Sequence, residues 1–254
     1  MNLKLLTLAR DLKRRKAREK HHLFVAEGVR AVEELLRSPL AIRGVLVASQ
    51  LLDAPRGAAL AGAIRERGIE SQTVEPNEFG SAAETDSPQG VLAIAEIPQR
   101  SLSNVEASWN GVLLVLDGVQ DPGNVGTILR TGAALGAVAT IALPGTVDLW
   151  NAKVVRSAMG AHFRHPAFSS TWSELDTFRT HSGLAVFAAD SSGDKVGSVP
   201  RPDRVALVVG NEGAGLSEEA RARADRTVGL PLAPDVESLN VAVATGILLH
   251  SLNR

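Results

Sequence analysis

Apolar residues along this chain occur in two ways: as short unbroken aliphatic runs, and at helical spacing between charges. Residues 3–20 set Leu3, Leu5, Leu6 and Leu12 among basic residues and predict a helix. Glu27–Leu36 places Val29, Val32, Leu35 and Leu36 on one helical face and stops before Pro39. Val45–Ala48 predicts a buried strand, Ala58–Arg67 a helix ended by Gly68, Ser71–Val74 a strand, Pro76–Ala82 a short helix and Val91–Ile97 an apolar strand. This alternation predicts an α/β module over residues 1–97. Residues 98–110 lack periodicity and read as a linker.

From Gly111 the pattern restarts as a second α/β module, residues 111–254. Its expected strands are Val112–Leu116, Val138–Leu143, Leu184–Ala188, Val205–Val209 and Thr227–Leu230. Its expected helices are Val125–Leu135, Ala152–Gly160, Ser173–Thr180, Ser217–Ala224 and Ser238–Leu252. Unbroken Val/Leu runs suit parallel strands covered on both faces. Three of them lead into polar, Gly-rich loops and then a helix: Asp117–Thr127, Gly210–Gly215 and Pro231–Asn240. Loops beyond the carboxyl ends of parallel strands build ligand sites, so these three are expected to meet.

Composition narrows the chemistry. There is no Cys, which removes disulfides and Cys-based zinc sites, and no Tyr, which removes the tyrosine acids of short-chain reductases. No apolar stretch is long enough to span a bilayer, and the basic N-terminus lacks the apolar region of a secretory signal, so a cytoplasmic protein is expected. The net charge is −1, yet residues 1–22 hold eight Lys or Arg against Asp11 and Glu19. Such a dense basic segment is either a solvated helix face or a nucleic-acid footprint, and Lys13, Arg14, Arg15 and Lys16 are the candidate nucleic-acid contacts.

The first loop does not follow G-x-G-x-x-G, and no G-K-[ST] follows it, so neither a dinucleotide fingerprint nor a Walker loop is present. Read blandly, it is a turn with Asn124 capping a helix; that leaves Arg130 unexplained on an otherwise apolar helix. The glycines around Asn211-Glu212 make either a tight turn or a close approach to a ligand. Ser238 or Asn240 is a candidate cap for the apolar final helix, which its composition predicts to be buried, against the fold or another subunit. His162 and His165 fall short of a metal ligand set, and no metal is expected. Asp190–Asp194 reads as a turn, and Arg156 as a surface charge or a group near a partner's active site.

Residues 116–131, 208–216 and 230–247 resemble, in order and spacing, the three signature motifs of SpoU/TrmH-type RNA ribose 2′-O-methyltransferases of the SPOUT class. The N-terminal module resembles that family's ribosomal-protein-like substrate-binding domain through softer features such as Phe24–Gly28. The resemblance implies a C-terminal parallel sheet with a deep trefoil knot, S-adenosylmethionine as cofactor, and a homodimer with the last helix near the interface. It assigns catalytic positions to Arg130, Asn124, Glu212, Ser238 and Asn240, and cofactor contacts to Gly210, Leu230 and Leu239. Gly210 is then expected to be Gly because its backbone lies against the cofactor. Ribosomal RNA is favoured over tRNA as substrate by analogy with the ribosomal-protein fold. A catalytically silent RNA-binding protein and a nucleotide-binding oxidoreductase are the rivals; the intact Asn124, Arg130, Glu212 and Asn240 oppose the first and the missing fingerprint opposes the second.

Overall fold

The computed structural model describes residues 4–105 and 109–253; Leu3 and residues 106–108 of the expected linker lie outside the described residues. The fold is α/β and divides into two compact units: Met1–Gln99 with Trp150–Arg164, and Arg100–Leu149 with His165–Arg254.

The first unit runs α1 (Leu5–Asp11), α2 (Arg15–His21), β1 (Leu23–Glu27), α3 (Val29–Leu36), β2 (Ile42–Val47), α4 (Pro55–Glu66), β3 (Ser71–Thr73), α5 (Pro76–Ala82) and β4 (Val91–Glu96). Its sheet has the order β1-β4-β2-β3, with β4 antiparallel to both neighbours and β2 parallel to β3. β1 is buried along its whole length, where the sequence pattern predicts only the start of a helix at Glu27. Five residues buried on both faces carry no alternation that could reveal a strand. The helix expected over 3–20 is broken at residues 12–14. Arg18 is buried there, and its guanidinium donates to the carbonyls of Leu12 (2.7 Å) and Lys13 (2.8 Å), which the break leaves without helical donors.

The segment Trp150–Arg164 joins this unit although it lies in the middle of the second sequence module. Trp150 packs its ring 4.5 Å from Phe24 and stacks on His162 at 3.9 Å, and Arg164 pairs with Glu34 at 3.0 Å. The helix expected over Ala152–Gly160 is shorter here, Ala152–Ser157 (α7 in chain order).

The second unit contains β5 (Gly111–Asp117), α6 (Pro122–Ala134), β6 (Ala139–Ala142), β7 (Ala167–Ser169), α8 (Trp172–Ser182), β8 (Ala185–Lys195), β9 (Arg204–Gly210), α9 (Glu218–Arg223), β10 (Arg226–Gly229) and α10 (Val241–Leu252). All pairings are parallel, in the order β10-β8-β9-β5-β6-β7. β5 is buried throughout and β9 in all but its first residue, so neither strand alternates between core and solvent. The sequence pattern misses β7, whose three residues are too few to show a period. It also reads Asp190–Asp194 as a turn, whereas the chain stays extended in β8, and β10 follows it through a register shift at Thr227/Val228.

His165 is buried beside β6. One ring nitrogen, Nε2, shares a hydrogen bond of 2.8 Å with the Thr140 hydroxyl, and Arg100 donates to the His165 carbonyl at 2.9 Å. Burial first, and the Arg100 charge second, push the imidazole pKa down from 6.5 to about 4. The folded protein therefore keeps His165 neutral at pH values where the unfolded chain protonates it. Stability is fully present above about pH 6.5 and declines as pH falls toward 4, by about 3 kcal/mol over the whole window from this group alone. Urea unfolding of wild type and His165→Gln at pH 7 and pH 4.5 should show a flatter pH dependence in the variant. Equal slopes would remove His165 as the cause.

Candidate active site at the carboxyl edge of the parallel sheet

β5 and β9 are adjacent and in register, with Asp117 opposite Gly210, so the loops that leave them start side by side. Asp117 is buried at the end of β5 and accepts from the Ser217 N–H at 2.7 Å, which ties the far end of the second loop to the first strand. Asn211 closes that loop from within. Its carbonyl oxygen accepts from the Gly213 and Ala214 N–H groups, both at 2.9 Å, and its amide donates to the Gly118 carbonyl at 2.9 Å. Backbone bonds between Asn211 and Gly215 in both directions complete the turn.

Gly210 is constrained by its own loop. A Cβ built on it would fall on the backbone of Gly215 and Leu216, closer than real Cβ atoms come. Glycine is needed there so that the loop can fold back on its own strand, and this requirement holds with or without a ligand.

Glu212 then reaches across to the first loop. Its carboxylate accepts from the backbone N–H groups of Gln120 (3.2 Å) and Asp121 (3.1 Å) and from the Asn124 side-chain amide (3.0 Å). Burial by itself would raise the Glu212 pKa. The hydrogen bonds it accepts, led by Asn124 and joined by its own, Gln120 and Asp121 backbone groups, outweigh that and hold it below the ordinary carboxylate value.

The cap of α6 is Asp121, whose side chain accepts from the Asn124 N–H at 2.8 Å, with Pro122 in the first turn. Asn124 is thus not the cap that its position suggests. With the helix end already satisfied, its side chain is available to bridge. Its Nδ2 donates to Glu212 and its Oδ1 accepts from Asn240 Nδ2 at 2.9 Å. Asn240 caps α10, accepting from the Ala242 and Val243 N–H groups, so α10 begins at Val241 rather than Ser238.

The second and third loops, with the far part of β8 and α10, line a cavity of about 470 Å³. Gly210, Leu230 and Leu239 line it, as do Glu212, Ser238 and Asn240; Asn124 is joined to it through Glu212 and Asn240. Arg130 does not line the cavity; it is exposed on α6, two turns beyond Asn124. Lys13, Arg14, Arg15 and Lys16 are exposed in the other unit. Arg14 pairs with Asp11 and Arg15 with Glu19, while Arg18 is committed to the helix break. Sequence reasoning missed Asp190, which also lines the cavity. Hydrogen bonds from Ser192 and the Arg221 guanidinium at 2.8 Å lower its pKa, so it is a carboxylate at neutral pH. Among the described residues there is no cluster of three or more His, Cys, Asp or Glu placed to hold a metal, and no helix long and apolar enough to cross a membrane.

Comparison with known proteins places this geometry. Residues 111–250 match the SpoU rRNA methylase family and residues 6–93 an MRM3-like substrate-binding domain. The chain is 33% identical to the 23S rRNA guanosine 2′-O-methyltransferase RlmP of Bacillus subtilis, covering 96% of this chain and 93% of that one. It is 32% identical to the 23S rRNA guanosine 2′-O-methyltransferase RlmB of Haemophilus influenzae, covering 89% and 96%. Among solved structures it superposes on the SpoU methyltransferase AviRb of Streptomyces viridochromogenes in complex with AdoMet, at TM-score 0.88 and 26% identity over 99% of this chain and 97% of that one. An AdoMet-bound rRNA methyltransferase of Sinorhizobium meliloti matches at TM-score 0.84 and 29% identity, covering 98% and 93%.

The role of Glu212 is open to a direct measurement. Glu212→Ala should speed amide exchange at Gln120 and Asp121 about tenfold or more, since both lose their acceptor. Unchanged protection at both amides would show that the carboxylate does not join the loops.

Proposed function

Because the chain belongs to the SpoU rRNA methylase family, we propose that its cavity holds S-adenosylmethionine and that the enzyme methylates a ribose 2′-hydroxyl of ribosomal RNA. The observation that carries this reading is that Glu212, Asn124 and Asn240 join three loops beside a cavity that Glu212 and Asn240 themselves line. The cavity suits the cofactor. Its volume of about 470 Å³ lies within the roughly 300–1,000 Å³ of small-molecule pockets. Its lining mixes aliphatic Val209, Leu216 and Leu248 with the polar groups of Asp190, Ser238 and Asn240. When bound, S-adenosylmethionine supplies a methyl group already activated on a sulfonium centre.

What remains for the protein is to hold the 2′-hydroxyl in place and ease the loss of its proton. Arg130 takes that part. Guanidinium is always protonated, so it acts as a donor that polarises the hydroxyl and pairs with an RNA phosphate, and that phosphate or water receives the proton. Glu212, Asn124 and Asn240 keep the start of α6 in position, and Ser238, which has no hydrogen bond among the described residues, faces the cavity and is left to orient the nucleotide. Gly210, Leu230 and Leu239 contribute the backbone wall on the cofactor side. Lys13 and Lys16, exposed and without ion pairs among the described residues, are the strongest members of the N-terminal RNA-contacting face, with Arg14 and Arg15 exchanging Asp11 and Glu19 for phosphates. We place the work of the enzyme in the cytoplasm, on substrate grounds.

We also propose a homodimer. Val243 and Ile247 are 51% and 44% exposed, one turn apart on α10, whose Ala242, Thr245, Leu248, Leu249 and Leu252 are buried. A second copy seated on this stripe would remove both from water and gain on the order of 1–2 kcal/mol for each side chain.

Two experiments test these readings. Arg130→Ala should abolish transfer of labelled methyl to ribosomal RNA while leaving S-adenosylmethionine affinity close to wild type, and Arg130→Lys should rescue little, because an ammonium lacks the planar fork. Near-normal turnover of Arg130→Ala would remove its role. In sedimentation, Ile247→Asp should run as a monomer where wild type runs as a dimer; equal masses would refute the α10 interface.

A further inference from the structure

The first unit contains a second cavity, of about 320 Å³, built from the β1–α3 junction, the loop of residues 84–90 and α7. Its walls are fixed in advance. Gly28 turns the chain from β1 into α3 with φ +96°, and a Cβ there would crowd the Gln89 side chain at 3.1 Å. Gln89 Oε1 accepts from the Val29 N–H at 2.9 Å. Glu27 is buried at the end of β1 and accepts from the Glu84 N–H at 2.7 Å and from the Thr85 hydroxyl. A carboxylate and an amide thus pin both ends of the loop to the strand–helix junction. Burying a carboxylate without a cation is unfavourable unless hydrogen bonds compensate, and here they hold a loop in a shape that leaves space.

The lining is chemically specific. Arg30 and Arg156 both line the cavity, both are exposed, and neither has a hydrogen bond or ion pair among the described residues. Most other arginines of this unit have a carboxylate, hydroxyl or carbonyl partner: Arg10 with Ser81, Arg37 with Glu34, Arg56 with Glu33, and Arg67 with the Leu36 carbonyl. The same cavity is lined by Ser87, by Gln89, whose amide nitrogen is not used in the bond to Val29, and by the apolar Ala31 and Met159. Two unpaired guanidinium groups suit phosphate, and an amide and a hydroxyl beside a methionine suit the edge and face of a base.

We propose that this cavity takes one unstacked nucleotide of the RNA substrate, its phosphate on Arg30 and Arg156 and its base against Met159 and Gln89. The proposal rests on the ribosomal RNA reading above and adds to it a recognition site within the first unit. Sequence-specific binding of RNA is directed mainly at splayed bases of loops and bulges, and a preformed pocket with a cationic grip on phosphate suits such recognition.

The test uses the full-length protein and a protein-free, unmethylated transcript of large-subunit ribosomal RNA. Wild type is compared with Arg30→Ala and Arg156→Ala combined, and with Ser87→Trp, which fills the mouth without changing charge. All three positions are exposed, so the variants should keep the wild-type unfolding midpoint and S-adenosylmethionine affinity. Both variants should weaken RNA binding about tenfold or more. The slope of log affinity against log salt should flatten by about one in the arginine variant and stay unchanged in Ser87→Trp, because only the former removes the phosphate contact. A Ser87→Trp protein that binds the transcript as wild type does overturns the pocket, as does an unaltered affinity in the arginine variant. Methyl transfer by wild type is measured on the same transcript. Its absence overturns the ribosomal RNA reading and the pocket with it, whereas its presence with unaffected variants overturns the pocket alone.

Discussion

β5 and β9 lie next to each other in parallel register, with Asp117 level with Gly210, and this single pairing decides where the site can form. Parallel strands release their loops on the same edge of a sheet, so Gly118 and Asn211, 93 positions apart in sequence, begin their loops as neighbours. Glu212 can then accept from Gln120, Asp121 and Asn124 without a long, disordered connection being closed at the moment of contact. The closure entropy has already been met by the burial of the two strands, whose aliphatic residues form the core of this unit.

The polar network gains specificity from the limited valence of its members. Asn124 has one carbonyl oxygen and one amide nitrogen, and the structure uses the first toward Asn240 and the second toward Glu212. A flipped amide would place donor against donor on one side and acceptor against carboxylate on the other, so only one orientation satisfies both partners. Asn240 is similarly committed, its oxygen capping α10 and its nitrogen held by Asn124. The start of α6, the start of α10 and the turn after β9 are therefore positioned by one another. A cavity wall made in this way is rigid where a ligand must be oriented and requires no metal to hold it.

The N-terminal unit uses a related device on a smaller scale. Glu27 and Gln89 pin the loop of residues 84–90, as Glu212 and Asn124 join the loops of the parallel sheet. Arg18 shows how far charge can depart from its sequence-level meaning. It belongs to a dense basic segment, yet it is buried and satisfies the carbonyls of a broken helix. The solvent-facing positive charge of that segment is consequently carried by fewer residues than its composition suggests.

Much of this protein was legible in the order of its residues. Val205–Val209 and Leu113–Leu116 are unbroken apolar runs that require cover on both faces, and the Gly-rich polar stretches after them mark loops, because local backbone preference acts without knowledge of the rest of the chain. The resemblance in residues 116–131, 208–216 and 230–247 singles out Asn124, Glu212 and Asn240 together, and the structure joins them through hydrogen bonds. Other features depended on tertiary structure. Whether Asn124 caps a helix or bridges two loops depends on Asp121 taking the cap, and whether Gly210 serves a ligand or its own loop depends on where Gly215 returns. β1 and the extended course of β8 through Asp190 carry no periodicity, and the attachment of Trp150–Arg164 to the N-terminal unit is set by the rings of Trp150, Phe24 and His162. Each of these outcomes is a contact between residues far apart in sequence. A propensity scale or a spacing rule describes only neighbours, so the partner that decides such a contact becomes visible only once the chain has folded.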